Sequence, residues 1–192
     1  MSSALTNPAL LPALPRAAPA HRRALLEQEV VALFDEFHGP LLRYLASFGL
    51  NPADCEEVLQ EVFLALFQHL DRGKSRVNLR GWLFRVAHNL GLKRRFCARR
   101  DTEARAPASA GEWAIDPRPS PEDRLADRQA RAALLAVVGA LPEQDRRCLF
   151  LRAEGLRYRE IAQILEMSLG AVSISLTRSL ERIARSARRC GR

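Results

Sequence analysis

The sequence predicts an all-α chain of two small helical domains joined by a flexible linker, and three observations carry that expectation. Apolar residues recur at helical spacing from about Leu25 to Arg95 and again from about Leu125 to Arg189. Strand-like alternation is nearly absent. Between the periodic stretches lies "RRDTEARAPASAGEWAIDPRPSPED", crowded with Pro, Ala and charge and longer than the loops a compact domain leaves unstructured. The expected organisation is a disordered tail over 1–24, a first lobe over 25–98, a linker over 99–124 and a second lobe over 125–192. No internal repeat relates the lobes.

Composition narrows the function classes. The chain has 192 residues, a net charge of +8 and 47% hydrophobic residues. With a pI near 10.3 it suits a polyanionic partner. No apolar run approaches the roughly 20 residues needed to cross a bilayer, so a soluble cytoplasmic protein without a membrane partner is expected. The opening "MSSALTNPALLPALPRAAPAHRR" lacks an early basic residue and repeats Pro too often for a signal-peptide helix. Cys55, Cys97, Cys148 and Cys190 stand singly, so neither a zinc site nor a disulfide framework is signalled. His21, His38, His69 and His88 are isolated, and no nucleophile–base pair is visible. No catalytic residue, metal or cofactor is implied, and the chain does not read as an enzyme.

In the first lobe, "NPADCEEVLQEVFLALFQHL" begins with Asn51 as N-cap and Pro52 at the first helical position. Val58, Leu59, Val62, Phe63, Leu66, Phe67 and Leu70 make its apolar face. Asp54, Glu57, Glu61 and Gln68 line the opposite side, with Leu64 among them. Such a stripe either solvates the helix and complements its dipole or docks on a basic protein surface. The next helix, "LRGWLFRVAHNLGLKRR", is expected to bury Trp82, Leu83, Val86, Ala87 and Leu90. Its outer side carries Arg85, His88, Leu92, Arg95 and Phe96, with Asn89 at the border and a basic loop, "DRGKSRVN", before it. Cations at a helix C-terminus often only complement the dipole. Cations, apolar platforms and an amide side by side also suit unstacked single-stranded DNA.

In the second lobe, "EIAQILEMSLGAVSISLTRSL" reads as two helices around a tight turn. Ile161, Ile164 and Leu165 share one face of the first helix, and Ala162 is small enough for a close crossing. Ser168 is placed to cap the second helix. Val172, Leu176, Leu180 and Ile183 are expected to face the core, leaving Ser173, Ser175, Thr177 and Arg178 outward as in a helix that enters the major groove. That is a sparse reading head, because strong base contacts are bidentate ones from Arg, Asn or Gln. A stand-alone helix-turn-helix regulator binding duplex half-sites as a dimer is the alternative reading.

Taken in order, three segments resemble one family, the sigma factors of bacterial RNA polymerase, in the two-domain extracytoplasmic-function (ECF) group. "DCEEVLQEVFLALFQHL" resembles the family's polymerase-clamp region and "LRGWLFRVAHNL" its promoter-melting helix. "LPEQDRRCLFLRAEGLRYREIAQILEMSLGAVSISLTRSLERI" resembles its region four. The resemblance spans nearly everything from Val31 to Arg185. It implies a transcription initiation factor whose partners are core RNA polymerase, promoter DNA and an anti-sigma protein. Asp54, Glu56, Glu57, Gln60 and Glu61 would contact the clamp's coiled coil. Lys74, Arg76 and Asn78, with Arg80 and Asn89, would capture a base flipped from the minus-ten element, and Lys93 and Arg94 would hold phosphates. Ser173, Ser175, Thr177 and Arg178 would face the minus-thirty-five element, with Arg157 and Arg159 near its backbone. The chain departs from the family where Arg157 replaces a capping Ser or Thr and Glu166 replaces a turn Gly. Ser173 and Ser175 replace residues that are often basic, and Lys93 replaces a frequent Asp.

Overall fold

The computed structural model describes residues 19–103, 132 and 134–190. The regular elements among them are helices: α1 (Pro19–Ala46), α2 (Pro52–Asp71), α3 (Leu79–Glu103), α4 (134–139), α5 (Glu143–Ala153), α6 (Tyr158–Ile164) and α7 (Leu169–Cys190). The first three pack on one another, and α5, α6 and α7 form the second lobe.

Local chemistry sets the helix starts. At α2 the Asn51 side chain accepts from the Asp54 N–H at 2.8 Å, with Pro52 at the first position. At α7 the Ser168 hydroxyl accepts from the Ala171 N–H at 3.1 Å. Two expected boundaries are corrected. Helix α1 begins at Pro19, inside the stretch expected to be a tail, because Pro is preorganised for a first helical turn. Helix α3 runs to Glu103, because Arg99 to Glu103 contains neither Gly nor Pro to end it. The remainder of the expected tail and linker, 1–18 and 104–124, lies outside the described residues, as do 125–131, 133 and 191–192 of the expected second lobe.

The first-lobe core gathers Leu41, Tyr44, Leu45, Val62, Leu66, Leu83, Phe84 and Ala87, and the second gathers Leu151, Leu156, Ile161, Ile164, Val172 and Leu176. The two join in one buried cluster: α3 packs against α6 and α1 against α5. Arg147 of α5 reaches across with its guanidinium 4.4 Å from the centre of the Phe48 ring. The lobes are therefore closed on each other.

Candidate nucleic-acid interface

The exposed side of α2 carries Glu56, Glu57, Gln60, Glu61 and Leu64, as its periodicity predicts, and Leu64 is 59% exposed. Asp54 is half-buried, because it helps to form the N-cap. Arg94 sits on this stripe, 2.7 Å from both Asp54 and Glu57. Those hydrogen bonds and charges hold the guanidinium even further above its ordinary pKa. Arg94 thus neutralises part of the acidic face, and in the DNA-free protein its guanidinium is engaged in an ion pair within the lobe. Lys93 is exposed beside it.

The loop before α3 is built around Asn78, whose φ of +56° places it in the left-handed region that Asn tolerates. Its Oδ1 accepts from the Gly81 N–H at 3.1 Å, capping α3. A Cβ on Gly81 would lie 2.5 Å from the Asn78 Nδ2, so this cap requires glycine there. The same Nδ2 donates to Glu160 Oε1 of α6 at 2.6 Å. Arg80 donates to Glu36 and to the Glu154 carbonyl, each at 3.3 Å, and lies over the Phe37 ring. Arg76 is bidentate to Glu29 of α1. Lys74 is exposed.

Asn78 and Arg80 thus face the second lobe. Val77, Asn78, Gly81, Trp82 and Arg85 line a cleft whose other wall is Glu160, Gln163 and Ile164, and Arg85 donates to Gln163 at 3.1 Å. Asn89, exposed, and Leu92 line a second cleft with Glu143, Gln144, Arg147 and Glu166. Arg95 is paired with Glu143, and Arg43 with Glu154 at 2.9 Å. Sequence reasoning missed these interlobe carboxylates. Only their position in the region-four segment could have drawn attention to them.

His88 is also corrected. Expected on the outer side of α3, it is 6% exposed, with Nδ1 2.8 Å from the Tyr44 hydroxyl. Burial, and then the Arg147 cation, pushes its pKa down to about 4, so it is neutral at physiological pH.

Within the helix-turn-helix, Arg157 offers α6 no side-chain acceptor. Half of the capping box survives because the Arg157 N–H donates to Glu160 Oε2 at 2.6 Å. Glu166 has φ +53° in the turn, where the Met167 N–H bonds back to the Ala162 carbonyl at 2.9 Å. Arg157 and Arg159 are exposed.

On α7, Ser173, Thr177 and Arg178 face outward as expected, but Ser175 does not. It is 2% exposed and donates to buried Asp145 Oδ1 at 2.8 Å. Arg178 is bidentate to the same carboxylate, at 2.9 and 2.7 Å. Burial alone would raise the Asp145 pKa, but bonds from Arg178 and Ser175 outweigh it and hold the carboxyl below its usual range. The inner stripe of α7 is Val172, Ser175, Leu176 and Ser179, so Leu180 is turned out. Hydroxyls with a partner mimic apolar residues at such positions, and hydrophobic periodicity alone assigns them to the wrong face.

A cationic and amide-bearing helix beside a helix-turn-helix defines a two-lobed nucleic-acid-binding protein. Residues 33–101 match the family description "Sigma-70 region 2", and residues 131–183 match "Sigma-70, region 4". The chain is 28% identical over 151 residues to the ECF RNA polymerase sigma-E factor of Escherichia coli strain K12, covering 72% of this chain and 76% of that one. It is 31% identical over 129 residues to the probable RNA polymerase sigma factor RfaY of Xanthomonas campestris. That match covers 66% of this chain but 32% of the relative, so it spans about a third of that protein's length. Two solved structures share the fold. CnrH in complex with the cytosolic domain of CnrY has a TM-score of 0.56 and 23% identity, over 86% of this chain and 92% of that one. The sigma factor RpoE from Bartonella quintana, in complex with the anti-sigma factor NepR, has a TM-score of 0.64 and 18% identity, over 84% and 96%. The chain belongs to the sigma-70 family, in its ECF group, and is a transcription initiation factor that directs RNA polymerase to promoters.

Proposed function

We propose that the closed arrangement is the resting form of this sigma factor and that the lobes must part before it engages a promoter. The observation that carries this reading is the bond from Asn78 to Glu160, which occupies the side chain assigned to minus-ten capture with a carboxylate of the helix-turn-helix. Arg80 and Arg85 are held against the second lobe in the same way. On opening, Lys74, Arg76, Asn78, Arg80 and Asn89 take a base flipped from the minus-ten strand, with Lys93 near its phosphates. The exposed stripe of α2, Glu56, Glu57, Gln60 and Glu61 with Asp54, docks on the basic clamp of polymerase. Ser173, Thr177 and Arg178 face the minus-thirty-five duplex, flanked by Arg157 and Arg159.

The factor acts in the bacterial cytoplasm and is not itself an enzyme, since polymerase performs the phosphoryl chemistry. None of the helices among the described residues is long and apolar enough to cross a membrane. The two solved neighbours are complexes with CnrY and NepR. By extension, an anti-sigma protein here would bind across both lobes and hold them closed. Reconstitution with core polymerase on a promoter library tests the reading. Selective initiation supports it, and promoter-independent initiation overturns it.

A further inference from the structure

Outside the residues discussed so far, the recognition helix shows one apolar side chain to solvent in the middle of its reading face. Ile174 is 66% exposed. Gly170, Ser173 and Thr177 share its side of α7 and are also exposed. Single exposed apolar residues are ordinary on protein surfaces, so exposure alone decides nothing. The company Ile174 keeps decides more. Arg178, the one guanidinium in the first three turns of α7, is held by two bonds to Asp145. Ser175 gives its hydroxyl to the same carboxylate. Two small hydroxyls and an isoleucine remain to meet base edges.

The major groove offers hydrogen-bonding groups and one apolar feature, the C5-methyl of thymine. An isoleucine side chain can gain only from the methyl. The position also suits close approach, because a Cβ on Gly170 would meet nothing nearer than the Ser168 hydroxyl at 4.0 Å, so the start of the helix is slim. Exposed Arg157, Arg159, Arg182 and Arg185 lie on α7 and at the start of α6, with charge complementary to phosphates. We propose that Ile174, between Ser173 and Thr177, is a specificity-determining residue that reads a thymine methyl in the upstream promoter element. This rests on the reading that α7 enters the duplex groove.

The test uses holoenzyme assembled with the full chain on an upstream element obtained by selection. Each thymine is replaced singly by uracil, which deletes only the methyl. At one position uracil is expected to weaken promoter-complex formation by about three- to fivefold, the worth of one buried methyl group. Ile174→Ala should lose a similar factor on thymine and show no further loss on uracil, while Ile174→Val keeps most of the response. An upstream footprint with no uracil-sensitive position overturns the inference and leaves the groove reading intact. Undiminished uracil sensitivity in Ile174→Ala does the same. Absence of any upstream footprint, with initiation indifferent to that sequence, overturns both. If Ile174→Ala instead loses a protein partner while its uracil response matches wild type, the side chain is a protein contact and the inference falls.

Discussion

The closed form is expected to open when its interlobe ion pairs are removed, and the double substitution Arg43→Ala with Glu143→Ala is the direct perturbation. Arg43 joins Glu154, and Glu143 joins Arg95. The two pairs share no partner, so their contributions add to a first approximation. Both are partly exposed, which limits each to about 0.5–1 kcal/mol. Their loss should move the open-to-closed ratio by roughly five- to thirtyfold, from about 1–2 kcal/mol. The fold also helps opening. Arg147 is half-buried at the interface with its Nε shielded from solvent and unpartnered, and burial lowers its pKa. Such a group costs about 1–3 kcal/mol, which rehydration on opening returns.

Single-molecule energy transfer can read this equilibrium through the protein's own thiols. Cys97 on α3 is exposed, whereas Cys55 and Cys148 are buried and resist labelling. Burial pushes the Cys55 thiol up to about 11, which further suppresses its reactive thiolate. A second dye at Arg185→Cys, in a Cys190→Ser background, reports the separation of α3 from α7. The low-efficiency population should grow in the double variant, and also with salt as the ion pairs are screened. Minus-ten probe binding by the free protein should rise with it. An efficiency distribution unchanged by both the substitutions and salt would refute the ion-pair argument.

Glu57→Lys with Glu61→Lys should abolish co-purification with core polymerase while leaving the circular dichroism spectrum unchanged; retained co-purification would remove the docking role of α2. His88 is neutral in the fold and protonates more readily unfolded, so the unfolded state binds more protons as pH falls from about 6.5 to about 4. Stability should therefore drop by about 1 kcal/mol by pH 5.5 and about 3 kcal/mol by pH 4, and urea titrations should show a shallower pH dependence in His88→Gln. Glu166→Gly should stabilise the second lobe by about 1 kcal/mol, because glycine carries no penalty in the left-handed turn, and a thermal melt checks it. Asp145→Asn should cost about 1.5–3 kcal/mol of folding stability by removing the charge that Arg178 and Ser175 share. It should also release Arg178, steepening the salt dependence of duplex binding by about one phosphate contact; an unchanged slope would show that Arg178 gains nothing by release.

What the sequence made legible was local. The α2 start followed from Asn51 and Pro52, the α7 start from Ser168, and the acidic face of α2 from helical spacing, because each depends on residues within one or two turns. Glu160, Glu154 and Glu143 find partners 82, 111 and 48 residues away, and no periodicity encodes that pairing. Asn78 illustrates the limit. Its side chain was legible as a polar group beside a basic loop, but its left-handed backbone, its demand for Gly81 and its bond to Glu160 all depend on the assembled fold. Ser175 and His88 were placed on the wrong faces for a common reason: a polar side chain can occupy the interior when Asp145 or Tyr44 waits there to satisfy it.

The sparse recognition helix and the closed lobes follow one pattern of charge. The chain carries +8, yet five arginines on or beside its assigned DNA-binding faces are held by carboxylates: Arg76 by Glu29, Arg80 by Glu36, Arg94 by Asp54 and Glu57, Arg95 by Glu143, and Arg178 by Asp145. Closure adds to this only through Arg95 and Glu143, and it covers Asn78 and Arg80, which are proposed for minus-ten capture. Parting the lobes frees Arg95 from Glu143 and Asn78 from Glu160, while the pairs within each lobe remain. A partner that binds only the parted lobes must overcome the closing free energy, and its apparent affinity falls by the fraction of molecules that are open. Promoter binding draws on that opening, so any partner that holds the lobes apart is expected to strengthen it without contacting the DNA. A protein that grips both lobes at once works in the opposite direction, and it needs only to add to contacts that the chain already makes with itself.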